Sequence, residues 1–180
     1  MVASTLLRQF APYCAGSGDQ EASRVPRGWR RIDEAPDVET LLNELDERLG
    51  FKIDFSNLYR GEIGLKTSRG VANYRAIQAS YQAWRIVDNL DELPSSASVL
   101  EIGAGLGRTA YYVMKMGVGR YTIIDLPLTN VSPGCFLGST LGAHAVALHG
   151  ETRRTASVKI KGPICSAMTR SILLLLMSTH

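Results

Sequence analysis

The sequence has few of the residues that mark disulfide scaffolds, metal centres and membrane proteins. Its three cysteines, Cys14, Cys135 and Cys165, are widely spaced and form no Cys-x-x-Cys motif or Cys/His pair, so we expect neither a disulfide framework nor a metal site. The longest apolar run, Ile172–Met177, is far below the roughly 18 residues that a membrane-spanning helix needs. The N-terminus lacks the apolar core and cleavage site of a signal peptide. We therefore expect a cytoplasmic protein that does not bind membranes.

Acidic residues are scarce towards the C-terminus. Residues 127–180 contain five lysines and arginines and a single acid, Glu151, whereas residues 1–126 contain 15 basic and 16 acidic residues. The formal net charge of +3 therefore belongs to the C-terminal part. Its basic residues are too few, and too little interleaved with aromatic residues, to indicate a nucleic-acid partner. A chain of 180 residues with 45% hydrophobic residues is instead typical of a globular domain with a hydrophobic core.

The N-terminal half divides into two segments. Residues 1–31 mix Gly, Ser, Arg and Pro without periodicity, which predicts a flexible N-terminal arm. Residues 32–94 are expected to form a helical extension or lid. Within them, helical spacing of apolar residues predicts a helix over Val38–Leu49 that ends at Gly50, and a second helix from Val71 to Leu90.

The period of the pattern changes after residue 94. The next segments predict, in order, a buried strand, a glycine loop, a helix and a second strand: Ala97–Ile102, Gly103–Gly107, Arg108–Met116 and Arg120–Asp125. Val131–Leu141 then predicts a helix and Ala145–Leu148 a third strand, while the remainder has no clear pattern. Strands that alternate with helices indicate an α/β fold with a parallel sheet.

The glycine loop predicts a nucleoside cofactor site. Glycines allow the chain to turn with unusual backbone angles and let its amides approach a ligand at a helix N-terminus. Asp125 ends the second strand 18 positions after Gly107, and an acid at that place in such folds accepts hydrogen bonds from ribose hydroxyls.

Two cofactor classes fit this loop. Gly105–Ala110 has the GxGxxA spacing of an NAD(P)-dependent oxidoreductase. Glu101, however, stands two residues before the first glycine, in a strand that we expect to be buried. A buried carboxylate is costly without a cationic or hydrogen-bonding partner. A sulfonium cofactor that carries an ammonium group supplies positive charge, so Glu101 favours S-adenosyl-L-methionine.

The segment Val99–Gly107, an acid followed by alternating glycines, resembles the first motif of class I S-adenosylmethionine-dependent methyltransferases. Three further segments are similar to the sugar O-methyltransferase family: Leu58–Leu65, Tyr81–Ile86 and Ile124–Pro127. The resemblance covers roughly residues 30–150.

This resemblance implies a Rossmann-like methyltransferase sheet and transfer of a methyl group to a sugar hydroxyl, in glycan or glycoconjugate biosynthesis. The substrate would be a small molecule or a glycan. The resemblance implies that Gly103, Ala104 and Gly105 line the methionine part of the cofactor, that Glu101 fixes that end and that Asp125 holds the ribose. The implied cofactor-binding residues are Glu101, Gly103, Ala104, Gly105, Gly107 and Asp125. No catalytic base is implied, and neither His144 nor His149 is assigned to that role.

The chain is short for this fold. Only 84 residues follow from Ala97, which is room for about three or four strands at the usual spacing. We therefore expect residues 95–150 to form the first half of an incomplete sheet with an exposed apolar edge, and residues 151–180 to form an atypical tail.

A frameshift between about Gly150 and Ser171 would explain that tail. Codons can be chosen for Ser171–His180 so that reading them two nucleotides later encodes Asp-Leu-Val-Val-Val-Asn-Val-Asp-Ser, which resembles a methyltransferase strand and its acidic end. Such a fragment would be inactive. A non-catalytic, degenerate binding module is the remaining alternative.

Overall fold

The computed structural model describes residues 37–59, 61–151 and 156–161. The predicted N-terminal arm, residues 1–31, lies outside this part of the chain. So does most of the predicted tail, and with it the segment in which we expect the frameshift. Within the described residues, no helix is both long enough and apolar enough to cross a membrane.

The chain forms two compact units, residues 1–78 and 79–180. The division falls inside a helix. The domain boundaries expected after residues 31, 94 and 150 stay predictions.

The first unit begins with helix α1, Val38–Leu49. The Asp37 carboxylate caps its start by accepting a hydrogen bond from the Glu39 N–H at 3.2 Å. Gly50 ends it in the left-handed conformation, with φ at 72°, which glycine adopts at no steric cost. The predicted helix and its terminal glycine are both confirmed. The buried face consists of Leu41, Leu42 and Leu45.

A small antiparallel hairpin follows, made of β1 (Leu65–Thr67) and β2 (Gly70–Ala72). The prediction of a helix from Val71 is therefore wrong at its start, because Val71 lies in β2. Helix α2 spans Tyr74–Asp88 and begins after Asn73, whose Oδ1 accepts a backbone N–H of the first helical turn at 2.8 Å. This cap sets the boundary, and the apolar spacing of the segment does not reveal it.

After the end of α2, the described residues of the second unit form four strands, two helices and a short 3₁₀ turn. Its elements are β3 (Ser98–Ile102), α3 (Arg108–Lys115), β4 (Arg120–Ile124), α4 (Val131–Thr140), the 3₁₀ turn (Ala143–Ala145), β5 (Val146–Ala147) and β6 (Val158–Lys161). All four strands are parallel, in the order β3-β4-β6-β5. The predicted α/β fold class with a parallel sheet is confirmed. The third predicted strand is shorter than expected, and β6 was not predicted.

One face of this sheet is buried. α3 packs against β4 and α4 against β5, and the two helices meet where the rings of Tyr111 and Phe136 lie 5.8 Å apart. The side chains of β4 and β6 on this face are 0 to 2% exposed: Tyr121, Ile123, Val158 and Ile160. This face forms the hydrophobic core of the second unit.

The expectation that Ala97–Ile102 is a buried strand is wrong for one face of β3. Leu100 is 59% exposed and Ile102 is 78% exposed, whereas Val99 and Glu101 are partly buried. The physical reason is that no element of the described residues covers the second face of β3, which is an edge strand of the sheet.

Candidate functional site

The glycine loop after β3 turns through three left-handed residues. Gly103, Gly105 and Gly107 have φ angles of 77°, 57° and 85°, which side chains other than hydrogen strongly disfavour. A Cβ added at Gly103 or Gly105 would meet nothing within 4 Å, whereas at Gly107 it would lie 3.0 Å from Pro133 Cβ and 3.1 Å from Leu137 Cδ1. The first two glycines therefore border open space, while Gly107 packs against α4.

Backbone hydrogen bonds fix the loop against the end of β4. The Gly103 N–H donates to the Ile124 carbonyl at 2.9 Å, and the Gly107 N–H donates to the Ala104 carbonyl at 2.9 Å. The first bond places Gly103 beside the residue that follows Ile124, which is Asp125. The predicted loop and the predicted acid thus meet at the carboxyl edge of the parallel sheet.

Glu101 is half-buried at the end of β3. Its Oε2 accepts a hydrogen bond from the Tyr121 hydroxyl at 3.0 Å. Burial raises the pKa of the Glu101 carboxyl and is the largest effect; the Tyr121 hydrogen bond opposes the rise, and the negative charge of Asp125 adds to it. The hydrogen-bonding partner that the sequence requires for this carboxylate is a neutral hydroxyl on the neighbouring strand.

Asp125 is tied into the sheet edge through its backbone and its side chain. Its Oδ1 accepts from the Leu126 N–H at 2.7 Å, and its own N–H donates to the Lys161 carbonyl at 3.3 Å. The Asn130 Nδ2 donates to the Asp125 carbonyl at 3.1 Å and to the Lys161 carbonyl at 3.2 Å. Asn130 thereby joins the ends of β4 and β6.

Asn130 also carries a buried acceptor with no partner. Its side chain is almost fully buried, and its Oδ1 has no hydrogen-bond partner among the described residues. An unpaired buried acceptor costs free energy, so the amide is held in this orientation by the two carbonyls that its Nδ2 binds.

The structure brings the predicted site residues together at one edge of the sheet. They occupy the end of β3, the glycine loop and the residue after β4: Glu101, Gly103, Ala104, Gly105, Gly107 and Asp125. Among the residues that the structure describes, neither Glu101 nor Asp125 forms an ion pair. The same residues contain no cluster of three or more His, Cys, Asp or Glu side chains suited to a metal. The arrangement is an acidic site beside an open glycine turn.

The two internal histidines lie elsewhere. Both are exposed. His144 lies in the 3₁₀ turn before β5, at the amino edge of the sheet, opposite the glycine loop. His149 follows β5, which is three strands from β3 in the sheet order, or about 14 Å at the usual strand spacing.

In the first unit, the charged side chain of Arg69 has a structural role. Its side chain is 9% exposed and its Nη1 lies 2.7 Å from Asp46 Oδ2, and it also donates to the Ile53 carbonyl and to Asn43 Oδ1. The ion pair holds the β1–β2 hairpin to α1.

No protein-family model, no curated protein and no solved structure matches the chain. The geometry at the carboxyl edge and the motifs in the sequence are therefore the basis for assigning a function.

Proposed function

We propose that the carboxyl edge of the sheet binds S-adenosylmethionine and that the chain is an S-adenosylmethionine-dependent O-methyltransferase of Rossmann-like fold. The observation that carries this proposal is the pair of carboxylates at the glycine turn: Glu101 precedes the turn in β3, and Asp125 follows β4, whose Ile124 carbonyl accepts the Gly103 N–H. Neither has a cationic partner among the described residues, and the pKa of Glu101 is raised mainly by burial and further by the negative charge of Asp125. A ligand with an ammonium and a sulfonium group would relieve this repulsion.

Each residue has a role that its position supports. Asp125 lies at the end of the second strand of a βαβ unit, where an acid accepts hydrogen bonds from ribose hydroxyls. Glu101 would bind the ammonium of the methionine part. Gly103 and Gly105 border open space, so the backbone of Gly103, Ala104 and Gly105 can approach the ligand closely.

The bound cofactor supplies a methyl group on a positively charged sulfur, which is an electrophile. The chain's own contribution is to bind and orient: holding an acceptor hydroxyl in line with that methyl group supplies much of the rate. His144 lies at the opposite edge of the sheet and His149 follows β5, three strands from β3, so we assign no histidine of the described residues as a base.

The charge of the site favours this cofactor over a nicotinamide dinucleotide. A dinucleotide places a pyrophosphate at the start of the helix that follows the glycine loop. Here Glu101 puts negative charge beside that position, and like charges disfavour binding, whereas Asp125 fits the ribose of either cofactor. The GxGxxA spacing of Gly105–Ala110 fits either cofactor.

The acceptor that we propose is a sugar hydroxyl on a small molecule or a glycan. Its support is the resemblance of Leu58–Leu65, Tyr81–Ile86 and Ile124–Pro127 to the sugar O-methyltransferase family.

Calorimetric titration of the full chain with S-adenosylhomocysteine and, separately, with NADH tests the cofactor. We expect saturable 1:1 binding of S-adenosylhomocysteine and no binding of NADH. Selective binding of NADH would overturn the proposal in favour of an oxidoreductase. Binding of neither nucleoside would instead support a non-catalytic module.

A further inference from the structure

The second unit has one sheet face that is exposed along β3, β4 and β6, whereas Ala147 of β5, which pairs with Lys159 on this face, is buried. Because side chains alternate along a strand and paired residues of parallel strands share a face, the register of β3, β4 and β6 places eight side chains on it. We call this surface the open face: Ser98, Leu100, Ile102, Arg120, Thr122, Ile124, Lys159 and Lys161. Seven of the eight are exposed, and Thr122 is partly buried.

The open face has an apolar part that is unusual for a parallel sheet. Leu100, Ile102 and Ile124 are 59%, 78% and 37% exposed, and Ile102 pairs directly with Ile124. Parallel sheets occur almost only with both faces covered. Contiguous exposed apolar side chains mark interaction sites more often than single ones do. This part of the surface is therefore suited to a partner that excludes water.

The outer edge of β3 adds backbone groups to the same place. The Arg120 N–H donates to the Ala97 carbonyl and the Gly103 N–H to the Ile124 carbonyl, so the odd-numbered residues of β3 face β4. In a parallel ladder the N–H and C=O groups of Leu100 and Ile102 then face the outer edge. No strand of the described residues pairs with that edge. A polypeptide can satisfy these groups, whereas lipid hydrocarbon cannot.

The other part of the open face is cationic. Arg120, Lys159 and Lys161 are exposed on it, none forms an ion pair with a described residue, and no acid is among its eight side chains. A partner that covers the apolar part without bringing negative charge would leave these cations facing a less polar surface. Charge complementarity therefore calls for acidic residues beside the apolar contact.

We propose that the open face is a docking surface for a segment of a partner protein whose apolar side is flanked by acidic residues. This inference is independent of the cofactor. Residues 162–180 contain no Asp or Glu and so do not supply the acids. A second copy presents the same three cations, which disfavours contact between two open faces.

Hydrogen exchange on the isolated full chain, followed by NMR, tests whether the face is free. We expect the amides of Leu100 and Ile102 to exchange fast in a monomer, as judged by analytical ultracentrifugation. Slow exchange in a monomer would mean that the chain covers its own edge, and slow exchange in a dimer that a second copy does. Either result would overturn the proposal.

Binding is then measured with three probes of defined chemistry. These are an 18-residue extended peptide of alternating valine and threonine flanked at both ends by glutamates, the same peptide with lysines in place of the glutamates, and vesicles of phosphatidylcholine and phosphatidylserine. We expect the glutamate peptide alone to bind and to slow the exchange of Leu100 and Ile102. Equal binding of both peptides, binding of the vesicles alone, or binding of no probe would overturn the proposal.

Matched variants locate the contact. Affinity for the glutamate peptide should fall by about tenfold or more in each of two double variants, Leu100→Ser/Ile102→Ser and Lys159→Glu/Lys161→Glu. The controls Leu93→Ser and Lys66→Glu change exposed residues outside the open face and should leave its affinity unchanged. Equal effects in the variants and the controls would contradict docking on this face.

Discussion

The Tyr121 hydroxyl on β4 donates a hydrogen bond to Glu101 Oε2 on β3 at 3.0 Å. Burial raises the pKa of the Tyr121 hydroxyl, and the charge of Glu101 raises it further, so the tyrosine remains a protonated donor at neutral pH. The hydrogen bond orients the carboxylate without neutralising it. It also opposes the rise in the pKa of Glu101, which favours the ionised form that a cationic ligand at the glycine turn needs.

Replacing the charge of Glu101 should weaken ligand binding without lowering the stability of the fold. In Glu101→Gln the amide oxygen can still accept the Tyr121 hydrogen bond, and a half-buried charge is removed. We expect the free energy of unfolding in urea at pH 7 to be equal to or above that of the wild type. S-adenosylhomocysteine should bind roughly 10- to 150-fold more weakly, because a hydrogen bond to a charged group contributes about 1.5–3 kcal/mol.

The matched control is Glu92→Gln, which removes an exposed carboxylate before β3 and should change neither quantity. Wild-type affinity in Glu101→Gln would contradict the role of Glu101 in binding the ammonium group.

The raised pKa of Glu101 gives binding and stability opposite dependences on pH. An acid whose pKa is higher in the folded state than in the unfolded state stabilises the fold below its unfolded pKa, and this contribution is lost as pH rises through the folded pKa. Binding of an ammonium group needs the ionised form, so affinity for S-adenosylhomocysteine should fall as pH drops through the same folded pKa. Titration calorimetry measures the affinity and urea unfolding measures the stability, each between about pH 4 and 8. In Glu101→Gln both quantities should depend less on pH. A parallel dependence on pH in Glu101→Gln and wild type would assign the titration to another group.

Alanine at two glycines of the loop should have different consequences. Each substitution forces a side chain into a left-handed conformation, at a cost of about 1–2 kcal/mol. At Gly107 the new Cβ also meets Pro133 and Leu137 at 3.0–3.1 Å, so Gly107→Ala should destabilise the second unit more than Gly103→Ala. At Gly103 the new Cβ enters open space, so the main effect of Gly103→Ala should be weaker binding of S-adenosylhomocysteine. Unfolding and calorimetry on both variants compare the two effects, and an equal loss of stability in both would show that the contact with α4 is unimportant.

The elements that the sequence predicts well have a local cause. The helix Val38–Leu49 has a continuous apolar stripe and a glycine where it ends, and the strands and helix around Gly103–Gly107 have a clear change of period. The strands β1 and β2 have three residues each, which is too few for alternation to be visible. Because Val71 lies on an apolar stripe, the pattern predicts a helix that starts there. The helix in fact starts after the cap residue Asn73.

The features of the site that the sequence does not predict depend on which residues lie beside one another across the sheet. Glu101, the glycines and Asp125 succeed one another along one βαβ unit, so their meeting at the carboxyl edge results from parallel pairing. The contribution of Tyr121 depends on the register between β3 and β4. The exposure of Leu100 and Ile102 depends on what covers their face, which no pattern within β3 records.

Asn130 offers a test of how the acidic end of β4 is held. Its Nδ2 donates to the carbonyls of Asp125 and Lys161, and its Oδ1 is buried without a partner in the part of the chain that the structure describes. In Asn130→Ala both carbonyls lose their side-chain donor. We expect the free energy of unfolding to fall by about 1–3 kcal/mol, because each of the two part-buried hydrogen bonds contributes about 0.5–1.5 kcal/mol.

The same variant should bind S-adenosylhomocysteine more weakly, because Asp125 is no longer tied to β6 through the side chain of Asn130. Thr129→Ala, at the preceding and partly buried position, is the control and should change both quantities little. Removal of the orphan Oδ1 partly offsets the loss of the two donated bonds, so the sign of the stability change decides which effect is larger. A stability equal to or above that of the wild type would mean that the unpaired acceptor costs as much as the two hydrogen bonds contribute, and that the β4 end is held by its backbone.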